Sequence, residues 1–153
     1  MLLIDGHLDL AMNAIHWNRD LTLPVHAIRE RERGMNQKGR AAGAVAFPEM
    51  RRGEVAVAMA TVIARVARPG NPLSGYASAE IAWAVAQGQR AWYRIMEERG
   101  HLRLIGDWAA LRDHLARWNA DPERTPLGIL LALAGLWRAR AVWQREPVGP
   151  RAF

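Results

Sequence analysis

Two residues near the start of the chain, His7 and Asp9, have the types and the spacing to grip a cation. They follow the apolar run 2–4, which reads as a buried strand delivering Asp5-Gly6-His7-Leu8-Asp9 at its C-terminal end. Strand side chains two places apart point the same way, so an imidazole and a carboxylate in this order can hold one metal ion from one side. The bland reading is that Asp5 and Asp9 cap or brace the following turn and that His7 is simply hydrogen-bonded. The spacing alone does not choose between them.

Other chemistries are thinly represented. The chain has no Cys, which excludes disulfide frameworks, thiolate zinc sites, iron–sulfur clusters and a Cys nucleophile, and leaves His, Asp and Glu to hold any metal. His16, His26, His101 and His114 sit in or beside helical stretches and read as surface or hydrogen-bonded residues. Gly34, Gly39 and Gly43 are too far apart for a nucleotide fingerprint. No Gly-x-Ser-x-Gly elbow exists, and Ser74 and Ser78 have no evident base.

The elements that must position the His-x-Asp pair alternate. After the first strand, 24–33 reads as helix and 34–43 as a polar, Gly-punctuated loop. A brief extended piece at 45–47 is expected to stop at Pro48. The segment 53–64 is apolar without a period of two, as in a strand covered on both faces. Ser78 is a good N-cap for a helix that closes at Gly100, with Ile81, Ala84, Val85, Gly88, Trp92, Ile95 and Met96 as its apolar face. A second helix starts at Asp107, with Trp108, Leu111, Leu115 and Trp118 on one side. Trp92, Trp108 and Trp118 are thus expected in the core. The stretch 102–105 is too short to assign, and 127–133 reads as another buried strand. Strand, helix, strand, helices, strand is the order of parallel pairing with helical crossovers.

Composition bounds the partners. At 153 residues, half of them apolar, the chain has the size of one domain with a real core. The net charge of +6 invites a nucleic-acid reading. Its placement argues against one, because 134–153, with four Arg and one Glu, carries half the surplus. The N-terminus lacks a basic signal-peptide region. The apolar run 127–137 has 11 residues, against roughly 20 for a membrane span. A soluble, cytoplasmic protein without membrane contact is expected.

Several segments in order then resemble one family. They are Asp5-Gly6-His7-Leu8-Asp9-Leu10, Asn13, Trp17-Asn18-Arg19-Asp20-Leu21, Pro48-Glu49-Met50-Arg51-Arg52-Gly53, Ala60-Thr61-Val62-Ile63-Ala64-Arg65, Gly75-Tyr76 and Ala86-Gln87-Gly88-Gln89. Together they resemble the bacterial branch of the membrane (renal) dipeptidase family of the amidohydrolase superfamily, over 1–133. The resemblance implies an α/β fold, here a partial (β/α)8 TIM-type barrel of about three strands and their helices. It implies a binuclear zinc centre at the C-terminal mouth and hydrolysis of dipeptides, some with a D-residue second. Of the family's site residues only His7 and Asp9 carry over, as metal ligands; the reaction would be attack by a metal-held hydroxide on the peptide carbonyl.

The departure from the pattern is equally specific. Where the family continues the third strand into a bridging Glu, this chain has Ala134, followed by Gly135-Leu136-Trp137-Arg138. The expectation is a non-family tail at 134–153, produced by a reading-frame slip near codon 134, an incomplete zinc site and a chain inactive alone. A barrel cut at this point has open edges that invite a complementary chain or a second copy. The rival reading is a non-catalytic module whose basic, aromatic tail binds a protein partner or nucleic acid.

Overall fold

The computed structural model describes residues 2–71 and 73–134, Ala134 by its backbone alone. The tail expected at 134–153 therefore lies, beyond that backbone, outside the described residues. Within them the chain forms four strands and five helices. The strands are β1 (Leu3–Leu8), β2 (Val55–Ile63), β3 (Leu102–Leu104) and β4 (Leu127–Ala134); the helices are α1 (Leu10–His16), α2 (Val25–Arg31), α3 (Phe47–Arg52), α4 (Ala79–Glu98) and α5 (Trp108–Ala120).

All strand pairs are parallel, and the sheet order is β1-β2-β4-β3. This α/β architecture fits part of a TIM-type barrel. The unassigned stretch at 102–105 supplies a short edge strand, so the sheet has one strand more than expected. β2 lies between β1 and β4, which explains its near-continuous apolar sequence; Val57, Ala58, Ala60 and Val62 are buried along it. β1 is less regular. Its register against β2 shifts between Leu3 and Ile4 and again between Asp5 and Leu8.

Both long helices start where their caps predict. Ser78 Oγ accepts the Ile81 N–H at 3.3 Å, and Asp107 Oδ1 accepts the Ala110 N–H at 2.8 Å. The buried face of α4 differs from the expected one. Ala82, Ala86, Gln89, Tyr93 and Met96 face the core, while Ile81 and Ile95 are exposed. The centre of the buried face is displaced toward the next helical position, with Met96 common to both faces and Val85 and Trp92 partly buried against the core. The reason is polar satisfaction. Gln89 bonds both backbone groups of Ile63, each at 2.8 Å, and Tyr93 Oη donates to the Thr61 carbonyl at 2.9 Å, so two residues that a hydropathy pattern places outside become core.

Two other expectations change. Pro48 does not end an extended piece but stands in the first turn of α3, where a missing N–H costs nothing, and Phe47 and Met50 are buried. Trp108, at the first position of α5, is 69% exposed; His114 and Trp118 carry that helix into the core. His114 is fully buried. Its Nε2–H donates to the Ala56 carbonyl at 2.8 Å, and Nδ1 has no partner among the described residues. Only glycine fits opposite it on β4: a Cβ on Gly128 would stand 2.5 Å from His114 Nε2 and 2.9 Å from the Ala56 oxygen.

Candidate functional site

The His-x-Asp pair stands at the C-terminal end of β1. His7 is within the strand, while Asp9 lies beyond its end as the N-cap of α1. Asp9 makes no side-chain cap hydrogen bond, so its carboxylate is not used for capping. Instead, Asp9 Oδ1 lies 3.3 Å from His7 Nε2 and accepts the hydroxyl proton of Thr61 from β2. The imidazole is 64% exposed and the carboxylate 26%. The contact spans Leu8, the last residue of an irregular β1, with Asp9 just beyond the strand's end. Asp5 braces locally, accepting the His7 N–H at 2.9 Å.

Behind this pair lies a buried network that no pattern in the sequence announced. Asn13 Nδ2 donates to the Asp9 carbonyl at 2.9 Å, and Arg19 Nη1 donates to Asn13 Oδ1 at 2.6 Å. Arg19 also makes a two-pronged contact with Glu32, Nε to Oε1 at 2.7 Å and Nη2 to Oε2 at 3.0 Å. Arg40 Nη1 and the Ala41 N–H complete the carboxylate's partners at 3.0 and 2.7 Å. The Arg19 guanidinium, the Ala41 N–H and Arg40 together hold the Glu32 carboxyl at about 2, against an ordinary 4.5, despite burial acting in the opposite direction. Trp17 packs beneath both guanidiniums, with centroid distances of 4.8 and 4.9 Å.

The remaining histidines take no part. His16 Nε2 is 2.8 Å from Tyr76 Oη, and His114 is buried against β2. An imidazole nitrogen and a carboxylate oxygen side by side fit a metal ion as two of its donors, but a zinc site takes at least three protein ligands. Among the described residues no group of three His, Asp or Glu is placed to complete one.

No family model and no curated protein matches the chain. Among solved structures, the chain is similar to the crystal structure of a metallopeptidase, dipeptidase AC of family M19, with a TM-score of 0.58 and 21% identity. The alignment covers 94% of this chain and 40% of that one. The fold is that of part of an M19 dipeptidase. The chain thus spans less than half the length of the dipeptidase it matches. His7 and Asp9 meet at the C-terminal end of β1, the end of the strands at which TIM-type barrels generally carry their reactive groups. No helix among the described residues is long and apolar enough to cross a membrane.

Proposed function

We propose that the chain contributes one side of a metal-dependent dipeptidase centre, with His7 and Asp9 as ligands to a zinc ion and dipeptides as the substrate class. The observation that supports this reading is the 3.3 Å approach of His7 Nε2 to Asp9 Oδ1 at the C-terminal end of a parallel strand. A metal so held would polarise a peptide carbonyl and acidify a bound water. Two donors do not enclose the ion, and Ala134 stands at the place of the bridging Glu in the family pattern. No hydrolytic step runs through His7 and Asp9 by themselves.

Calorimetric titration of the full chain with Zn²⁺, beside a dipeptide hydrolysis assay, tests the proposal. Weak one-to-one binding, reduced about tenfold or more in His7→Ala and in Asp9→Ala, without dipeptide turnover, is the expected result. Zinc binding indifferent to both substitutions overturns it. The change of sequence character at 134 has its own test: translating the other frames of the gene downstream of codon 134 is expected to restore a Glu-containing dipeptidase-like continuation.

A further inference from the structure

A separate cleft of about 600 Å³ lies where the segment after α1, α2 and the C-terminal half of α4 come together, and neither His7 nor Asp9 lines it. Its lining has two parts. Ile28 and Met96 are buried, Trp92 is half-buried and Met35 is 49% exposed; this part is apolar, and its two thioether side chains can adapt to the shape of a guest. The other part is charged, with four Arg against Asp20 and Glu32, a surplus of two positive charges. The acids are already engaged. Glu32 is shared by Arg19 and Arg40 in the buried network, which those two guanidiniums together outweigh. Asp20 Oδ1 accepts from the Thr22 N–H and hydroxyl at 3.0 and 2.6 Å, and Arg31 balances its charge through space. Arg99, the C-cap of α4, is exposed and adds to the positive excess.

We propose that this cleft binds an organic anion, a carboxylate carried on an apolar body, with the apolar body against Ile28, Trp92 and Met96 and the carboxylate on the side of Arg99. The volume falls within the roughly 300–1,000 Å³ of small-molecule sites, which pair an apolar lining with a few placed polar groups. The apolar part disfavours a small inorganic anion, which would leave it uncovered, and the positive surplus disfavours a cation. The Arg19–Glu32–Arg40 cluster forms a wall whose side chains are fixed by their own hydrogen bonds before any ligand arrives. Nothing in the proposal depends on the metal reading of His7 and Asp9.

Octanoate, with 1-octanol as its uncharged match, tests this on the full chain. In NMR titrations octanoate is expected to bind saturably and to move the amide resonances of Ile28, Trp92 and Met96, with octanol about tenfold weaker or more. Arg99→Gln is expected to weaken octanoate about three- to tenfold and to leave octanol unchanged, while Arg99→Lys stays close to wild type. Asp20→Asn, which removes a negative charge from the lining, should tighten octanoate and not octanol. These substitutions lie outside the buried Arg19–Glu32 pair, and the octanoate–octanol comparison on wild type needs no variant at all. Equal affinity for octanoate and octanol overturns the proposal, as does equal octanoate affinity in wild type and Arg99→Gln. Absence of binding, or shifts confined to other exposed apolar residues such as Leu131 and Leu133, overturns it as well.

Discussion

Replacing Glu32 with Gln removes one charge from the most closely bonded cluster in the described structure. The Glu32 side chain is 4% exposed and that of Arg19 8%, so water screens the pair little. The carboxyl titrates at about 2 in the folded chain and at an ordinary 4.5 when free. Because the folded value is the lower, the unfolded chain takes up the proton first on acidification. The pair's stabilisation is complete above about pH 4.5 and is lost as the pH falls to about 2. At about 1.4 kcal/mol per pH unit, that displacement amounts to about 3 kcal/mol. Gln preserves the shape but leaves the Arg19 guanidinium buried without its counter-charge, a loss of about 3–5 kcal/mol. Urea unfolding followed by Trp fluorescence, from pH 2 to 7, measures both numbers. Glu32→Gln is expected to be less stable by about 3 kcal/mol at pH 7, with the two curves converging near pH 2. Parallel curves, or equal stability at pH 7, would refute the argument that the buried Arg19–Glu32 pair stabilises the folded chain.

Four further outcomes follow from the packing. Gly128→Ala drives a methyl against His114 Nε2 and the Ala56 oxygen, and a loss of about 1–3 kcal/mol is expected in chemical denaturation. Tyr93→Phe leaves the Ala11 N–H and the Thr61 carbonyl without the hydroxyl that joins them; about 1–3 kcal/mol of stability, and faster hydrogen exchange at Ala11, should go with it. Burial pushes the His114 imidazole below the ordinary histidine value of 6.5. Its neutral form therefore stabilises the fold above about pH 6.5, a contribution that declines as the pH falls through the lowered native value; imidazole NMR titration should show His114 still neutral below the ordinary histidine value. Ala41 has φ of +54°, a conformation that costs a residue with a Cβ about 1–2 kcal/mol, so Ala41→Gly is expected to raise the thermal midpoint slightly despite the added chain entropy.

How much of this was legible without coordinates depends on where each signal lies. The helix starts at Ser78 and Asp107 rest on capping, a contact over three residues that a linear pattern displays directly. The parallel arrangement followed from the alternation of apolar runs with helical segments, and the family resemblance agrees with the fold found by structural comparison. The two-residue spacing anticipated that His7 and Asp9 lie side by side, although β1 is irregular and Asp9 stands just beyond its end. The edge strand at 102–104 was missed because three residues carry no periodicity, and its pairing with β4 is the main reason it is a strand.

The amino-acid order by itself determined the two long helices with their caps, the alternation of apolar strands with helical segments and the absence of thiol chemistry, because these depend on composition or on neighbours within a turn or a strand. Only the tertiary structure decided that Gln89 and Tyr93, not Ile81 and Ile95, face the core. It also decided that Arg19 meets Glu32 and that Thr61 holds Asp9. Each of these joins groups 13 to 52 residues apart through hydrogen bonds. Whether a polar group can be buried depends on the partner the fold brings to it, and that partner is not written beside it in the chain.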